Sequence, residues 1–132
     1  MAKLASVLVI DDNPNCLQFM TLAFSAQAGV QVTGEQKPQT ALVRIRNEKP
    51  DLVMLDVKMP ELDGFGVLAV LRTEGNSVPV VMCSGSVLQK DIDRAYMAGC
   101  NGYIEKPATL TAYREMAHAV VSYWQKSELP QR

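Results

Sequence analysis

The sequence predicts an α/β fold in which five parallel strands alternate with five helices. Short segments rich in valine, isoleucine and leucine recur along the chain, as strands buried on both faces require. Each is followed by a segment whose apolar residues repeat at helical spacing. Glycine, proline and asparagine separate the segments. This alternation implies right-handed crossovers and a doubly wound sheet with helices on both of its faces.

Length and composition limit the class of protein. The chain has 132 residues, enough for one domain, and is 48% hydrophobic and 20% charged, as globular proteins are. Its net charge of −1 argues against direct DNA binding, which needs a concentrated basic surface. No apolar run reaches the roughly 20 residues of a membrane-spanning helix, and the N-terminus does not resemble a signal peptide. We therefore expect no membrane insertion and a cytoplasmic location.

The first strand is predicted at residues 4–10, which are apolar almost throughout. A turn follows, and Asn15 can cap the helix after it. Gly29 is predicted to end that helix. Residues 30–34 then form a second, shorter strand.

The middle of the chain repeats this order. Residues 39–47 show helical spacing, and Pro50 prevents the helix from continuing. Residues 51–56 form the third strand, apolar up to its last residue. The third helix begins at Gly64 and carries its apolar side chains on one face.

The last third contains two further strand–helix pairs. Residues 79–83 form a strand that begins with proline, where the missing N–H is least harmful. A helix at 91–98, a short strand at 102–105 and a helix at 109–126 follow. Residues 127–132 are expected to form a frayed tail, so the domain is predicted to span residues 1–126.

Reactive side chains follow four of the five strands. Asp11 and Asp12 end the first strand, Asp56 the third, Ser84 the fourth and Lys106 the fifth. In an open parallel sheet, binding and reactive residues collect at the carboxyl ends of the strands. We therefore expect these side chains to share one crevice.

Three carboxylates in one crevice raise each other's proton affinity unless a cation joins them. Mg²⁺ suits such a site, because it prefers oxygen ligands and keeps room for water and phosphate oxygens. Lys106 adds a positive charge and Ser84 a hydroxyl donor. Together these groups could stabilise phosphoryl transfer to a carboxylate.

Three segments resemble the signature segments of response regulator receiver domains. They are VLVIDDN at 7–13, DLVMLDVKMPELDG at 51–64 and AGCNGYIEKP at 98–107. The resemblance extends over essentially the whole chain and is nearest to single-domain, chemotaxis-type regulators. It implies a flavodoxin-like sheet of order 2-1-3-4-5 and a role in bacterial two-component signalling or a phosphorelay.

The resemblance assigns a role to each residue of the crevice. Asp56 is the expected phosphoacceptor, and Lys106 and Ser84 are expected to contact the phosphoryl oxygens. The expected Mg²⁺ ligands are Asp12, Asp56, the main-chain carbonyl of Lys58 and, mostly through water, Asp11. Such a domain is not an enzyme with a separate substrate, since it catalyses only its own phosphotransfer and dephosphorylation.

Further roles are implied for residues near the crevice. Ser84 and Tyr103 are the expected switch residues, with Tyr103 turning from an exposed to an inward orientation on phosphorylation. Lys58 and Ser86 occupy the positions that tune phosphoryl lifetime, and the peptide bond before Pro107 is expected to be cis. Ser84 replaces the more usual threonine but keeps the hydroxyl.

The implied partners are a histidine kinase or phosphotransfer protein and a downstream protein or second copy. The downstream contact is expected on the face of the fourth helix, fifth strand and last helix. No DNA-binding or catalytic segment follows the last helix, so a stand-alone receiver is expected. The last helix is similar to that of receivers paired with bacterial phytochrome kinases.

Three alternatives compete with the receiver interpretation. A receiver-like interaction module that works without phosphorylation would be expected to lack the acceptor, acid pair or lysine, all of which are present. A haloacid-dehalogenase-type phosphatase needs an acid where Lys58 stands. A flavodoxin-like electron carrier needs a phosphate-binding loop where Asp11 and Asp12 would repel phosphate.

Cys16, Cys83 and Cys100 are too widely spaced for a metal pair and are expected to be reduced.

Overall fold

The computed structural model describes residues 4–128 and contains one five-stranded parallel sheet. Its order is β2-β1-β3-β4-β5, which confirms the predicted fold class and topology. The strands are β1 (Ser6–Ile10), β2 (Gln31–Glu35), β3 (Leu52–Asp56), β4 (Val80–Ser84) and β5 (Gly102–Glu105). The helices are α1 (Pro14–Ser25), α2 (Pro38–Glu48), α3 (Gly64–Thr73), α4 (Gln89–Met97) and α5 (Leu110–Lys126).

Side chains of the central strands alternate between two hydrophobic clusters. Leu8 and Leu55 point to the cluster covered by α2, α3 and α4, whereas Val9 and Met54 point to the cluster covered by α1 and α5. This is the two-residue period of a pleated strand with both faces buried. The helices therefore lie on two faces of the sheet, as predicted.

Three helices begin earlier than predicted from the sequence, and of these α2 does so by a single residue, at Pro38. α1 is capped by Asn13 and not by Asn15, because Pro14 occupies the first helical turn, where its missing N–H costs nothing. The Asn13 side chain accepts hydrogen bonds from the amides of Asn15 at 2.9 Å and Cys16 at 3.1 Å. α4 begins at Gln89 and not at residue 91.

α1 also ends earlier than predicted, at Ser25. The Gln27 amide donates to the Phe24 carbonyl, and the Val30 amide to the Gln27 carbonyl, in successive turns. Gly29 lies in these turns with a φ of +78°, a conformation that favours glycine. It therefore marks the entry to β2 and does not cap α1.

The predicted tail falls largely outside the described part of the chain. Ser127 caps the C-terminus of α5, and its amide donates to the Tyr123 carbonyl at 3.0 Å. Residues 129–132 lie outside the described residues, so a frayed tail stays a prediction. Between residues 4 and 128, no helix combines the length and apolar character needed to span a membrane.

Candidate functional site

The acidic residues after β1 and β3 lie together at the carboxyl edge of the sheet. Asp11, Asp12 and Asp56 each offer a carboxylate oxygen, and these oxygens lie within 4.8 Å of one another. Asp11 is 3% exposed and Asp56 6% exposed, whereas Asp12 is half-buried. The predicted convergence of the three carboxylates is therefore present in the structure.

Main-chain hydrogen bonds hold these residues at the edge of the sheet. The Asp11 amide donates to the Glu35 carbonyl at 3.1 Å, which continues the β1–β2 pairing past the strand. The Asp11 carboxylate accepts from the Asn13 amide at 2.9 Å, which orients it at the start of α1. The Val57 amide donates to the Cys83 carbonyl and holds the residue after Asp56 against β4.

Lys106 brings a positive charge to the acidic residues. Its Nζ lies 2.9 Å from Asp11 Oδ2 and 3.1 Å from Asp56 Oδ1. Its main-chain amide donates to the Ser84 carbonyl at 2.7 Å, so the ends of β4 and β5 are joined at the site. The lysine therefore bridges two of the three carboxylates.

The prediction that the peptide bond before Pro107 is cis is wrong. Among the described residues no peptide bond is cis, so Lys106 and Pro107 are joined in trans. Trans is the lower-energy isomer even for proline. With this isomer the Lys106 side chain already reaches both carboxylates.

Burial controls the ionisation of the site. Burial, and next the negative charge of Asp11, raise the pKa of Asp56 to about 7, although Lys106 opposes the shift. Burial lowers the pKa of Lys106, but the hydrogen bond and charge of Asp11, with those of Asp56, outweigh it and raise the pKa. An additional cation would therefore favour the ionised form of Asp56.

A cleft of about 440 Å³ opens over the carboxylates. Its lining residues are Asp12, Asn13, Asp56, Lys58, Ser84, Gly85, Ser86 and Lys106. Clustered carboxylates beside an open space match the preference of Mg²⁺ for hard oxygen ligands and retained water. The donor set therefore fits a divalent cation, and both predicted lifetime-tuning residues line the same cleft.

Ser84 and Tyr103 are connected through Ser86. Ser84 is 2% exposed, and its hydroxyl accepts from the Ser86 amide at 3.2 Å. The Tyr103 hydroxyl lies 3.5 Å from the Ser86 carbonyl oxygen. Tyr103 is half-buried and packs against the cluster under α2, α3 and α4, so the orientation in this structure is not the exposed one.

Gly64 has a role at the site that its sequence position alone did not reveal. A Cβ at this position would lie 2.3 Å from the main-chain oxygen of Asp56, a distance that real Cβ atoms do not show. The Gly64 amide also donates to the Val57 carbonyl at 2.8 Å. In the sequence, Gly64 indicates only the start of the third helix.

Comparisons with known proteins agree with this geometry. Residues 7–118 match the family described as the response regulator receiver domain. The chain is 34% identical over 110 residues to a protein-glutamate methylesterase/protein-glutamine glutaminase of Nocardioides sp., covering 79% of this chain and 29% of that protein. It is 30% identical over 105 residues to the probable transcriptional regulatory protein TcrX of Mycobacterium tuberculosis, covering 80% of this chain and 44% of TcrX. The chain thus spans less than half the length of these relatives.

Solved structures share the fold. The phosphorylated cyanobacterial phytochrome response regulator RcpA superimposes with a TM-score of 0.86 at 25% identity, over 97% of this chain and 99% of RcpA. The Vibrio cholerae chemotaxis protein CheY4 superimposes with a TM-score of 0.77 at 22% identity, over 89% of this chain and 98% of CheY4. The second likeness concerns the fold alone.

Proposed function

The chain belongs to the response regulator receiver domain family, and we propose that it accepts a phosphoryl group on Asp56 in a Mg²⁺-dependent reaction. The observation that carries this proposal is the cluster of Asp11, Asp12 and Asp56 bridged by Lys106 at the ends of the strands. Receiver domains are signalling modules of two-component systems. Membership of this family supports a role of the cluster in phosphorylation.

Asp56 is the proposed nucleophile. One ionised carboxylate oxygen attacks the phosphorus of a phosphohistidine, and a P–O bond forms as the P–N bond breaks. The electron pair of that bond stays on the imidazole nitrogen, which takes up a proton supplied by the buffered solvent and leaves as neutral imidazole. Hydrolysis of the acyl phosphate by water later returns the carboxylate and inorganic phosphate, so the domain is regenerated.

The residues proposed to hold Mg²⁺ are Asp12, Asp56, the main-chain carbonyl of Lys58 and, mostly through water, Asp11. When bound, the ion supplies positive charge to the phosphoryl oxygens and the carboxylates. The ionised form of Asp56 that attacks phosphorus is disfavoured by burial and by Asp11, so it needs such a counter-charge. This dependence supports a metal requirement.

Lys106 and Ser84 are proposed to stabilise the phosphoryl group. The Lys106 ammonium already lies 3.1 Å from the acceptor oxygen, within reach of a group attached there. Ser84 lines the same cleft, and because its hydroxyl accepts from the Ser86 amide, the hydroxyl hydrogen stays available to donate to a phosphoryl oxygen. Charged and hydroxyl donors of this kind act mainly by preorganised electrostatics.

The proposed phosphoryl donors are a histidine kinase or a phosphotransfer protein. The proposed output surface is the face of α4, β5 and α5, where Tyr96 is 51% exposed, Met97 89% and Tyr123 62%. Exposed large hydrophobic side chains on one face suit a downstream protein or a second copy of the chain. Direct DNA binding is not part of the proposal, because the net charge is −1.

The proposed location is the cytoplasm. Cys16, Cys83 and Cys100 are free thiols in the structure, and Cys83 and Cys100 are buried. Unpaired cysteines are usual in reducing compartments. The receiver-like module that needs no phosphorylation is not favoured, because the acceptor, the acid pair and the lysine that such a module would be expected to lack are all present.

Incubation with ³²P-labelled acetyl phosphate tests the proposal. We expect Mg²⁺-dependent labelling that is lost in Asp56→Asn and in the presence of a chelator. Asp12→Ala should fold normally, lose Mg²⁺ binding in calorimetric titration and take up no label, since two carboxylates hold the ion too weakly. Glu61→Gln removes an exposed carboxylate from the adjacent loop and should be labelled like the wild type. Equal labelling of Asp56→Asn and wild type would contradict the assignment.

A further inference from the structure

α4 is held to the rest of the domain by few side chains. Among its described residues, Ala95 alone is buried, and the residue at its N-cap is Leu88, whose apolar side chain cannot accept a capping hydrogen bond. By contrast, α5 buries five side chains. Because helices in proteins are stabilised mainly by packing of an apolar face, α4 is the helix whose position costs least to change.

A cation–π contact provides one of the few attachments of α4. The Arg94 guanidinium carbon lies 4.1 Å from the ring centroid of Phe65, the second residue of α3. Phe65 is 6% exposed and belongs to the cluster between the sheet and α2, α3 and α4. Arg94 itself is exposed, so its guanidinium closes over the ring from the solvent side.

Phe65 is tied to the backbone of the phosphoacceptor. It follows Gly64, which packs so closely on Asp56 that no Cβ fits, and whose amide donates to the Val57 carbonyl. Asp63 caps the same helix by accepting from the Gly66 amide at 2.9 Å. The Phe65 ring therefore has a fixed position relative to Asp56. Through its contact with this ring, Arg94 holds α4 in a defined position relative to Asp56.

The loop before α4 begins at the site. Residues 85–88 connect Ser84 to the first residue of α4, and Gly85 is exposed with no atom within 4 Å of a Cβ built on it. If Ser84 moves toward a phosphoryl group on Asp56, this loop pulls on the N-terminus of α4. A cleft of about 540 Å³, lined by Asp12, Lys58, Phe65 and Arg94 among others, leaves space between the site and α4.

We propose that the Arg94–Phe65 contact is a latch that holds α4 in its unphosphorylated position and opens when a phosphoryl group occupies Asp56. This inference rests on the proposed function, since it gives the structural step that follows phosphorylation. A contact made in one state only shifts the equilibrium between the states. The latch therefore weakens the affinity of the site for a phosphoryl group or its mimic. Removing the latch should strengthen that affinity by the same factor.

Calorimetric titration of the full chain with beryllofluoride in the presence of Mg²⁺ tests the latch. We expect Arg94→Gln to tighten the apparent affinity roughly two- to fivefold, the range of an exposed cation–π contact. Amide hydrogen exchange in α4 without ligand should accelerate by a similar factor. Lys90→Gln is the matched control, because it removes the same charge from the same helix one turn earlier, and it should leave both quantities unchanged.

A second variant excludes a general effect of surface charge. Phe65→Leu keeps an apolar side chain in the cluster but removes the aromatic ring. It should reproduce the effect of Arg94→Gln, and the double variant should show no additional gain, since both changes remove one contact. Additive effects, or an affinity of Arg94→Gln equal to that of the wild type, would overturn the latch alone. A wild-type protein that fails to bind beryllofluoride would overturn the proposed function and the latch with it.

Discussion

At the scale of single residues, Asp56 combines burial with an unfavourable charge environment. It is 6% exposed, lies beside the buried Asp11 and is balanced only in part by Lys106. Its pKa is raised to about 7, so its proton is bound more tightly in the folded chain than in the unfolded chain. Ionised Asp56 therefore lowers the stability of the fold, and the form that would attack phosphorus in the proposed reaction is the less stable one.

The pH dependence of stability should report this shift. Below an ordinary carboxyl pKa of about 4, Asp56 is protonated in both states. As pH rises to about 7, only the unfolded chain loses the proton, so the wild type loses stability relative to Asp56→Asn. The gap in free energy of unfolding should grow by about 4 kcal/mol over this range and then level off.

Urea unfolding in chelator at a series of pH values measures this gap. A constant offset between the two proteins would come from packing, and only the pH-dependent part reports ionisation. Mg²⁺ should reduce the gap above pH 7, because the ion stabilises the ionised carboxylate. Parallel stability curves from pH 4 to pH 8 would contradict the raised pKa.

Replacement of Lys106 should affect binding of the metal and binding of the phosphoryl group in different ways. Lys106→Ala frees the carboxylates of Asp11 and Asp56, so we expect Mg²⁺ affinity to be unchanged or higher. Affinity for beryllofluoride should fall at least about tenfold, the value of a hydrogen bond between charged groups. The control is Lys90→Ala, which removes an exposed lysine outside the cleft and should keep the affinity. Equal beryllofluoride affinity in Lys106→Ala and wild type would exclude the assigned role.

At the scale of elements, the first turn of α1 carries both a structural cap and the acidic pair. Asn13 follows Asp12 directly, and its side chain accepts from two helix amides. Its own amide donates to Asp11. The cap and the carboxylates are therefore parts of one turn, whose geometry depends on the Asn13–Pro14 order.

Two asparagine variants distinguish the observed cap from the one predicted by sequence. Asn13→Ala should lower the free energy of unfolding by about 1 kcal/mol, because two amides lose their acceptor. Asn15→Ala lies inside the helix, where alanine is favourable, and should change it by less than about 0.5 kcal/mol. Chemical unfolding of the two variants without Mg²⁺ measures both values. A larger cost for Asn15→Ala would place the cap at Asn15.

At the scale of the whole molecule, the site and the α4, β5 and α5 face are linked through the Ser84–Ser86 turn. The Ser86 amide donates to the Ser84 hydroxyl, and the Ser86 carbonyl lies beside the Tyr103 hydroxyl. Movement of the Ser84 side chain toward a phosphoryl group is therefore expected to shift the Ser86 backbone. Tyr103 on β5 then loses its present neighbour, so a change of a few kcal/mol at Asp56 could redistribute orientations on the far face.

Fluorine NMR of ¹⁹F-labelled tyrosine should detect this redistribution. We expect the Tyr103 resonance, assigned with Tyr103→Phe, to shift when Mg²⁺ and beryllofluoride are added. Tyr113 is 4% exposed on the opposite side of the sheet and provides a control resonance that should change less. An unmoved Tyr103 resonance with the site demonstrably occupied would exclude Tyr103 as the switch.

The fold class and the members of the acidic cluster could both be predicted from the amino-acid sequence. Alternation of apolar strands with helical periodicity is a local property, and the carboxyl ends of parallel strands necessarily share one edge. Asp11, Asp12, Asp56 and Lys106 could therefore be placed together from their positions after strands. Resemblance to the receiver family supplied the strand order, which the structure confirms.

Contacts between residues of different elements could not be predicted from the sequence. The bridge of Lys106 between Asp11 and Asp56 joins residues from three separate strands, and the Arg94–Phe65 contact joins two helices. The closeness of Gly64 to the Asp56 carbonyl likewise depends on how the loop after β3 folds back. Periodicity specifies the face on which a side chain lies, but distances across elements are set by the packing of the whole core. For that reason the latch and the pKa of Asp56 could be found only in the folded molecule.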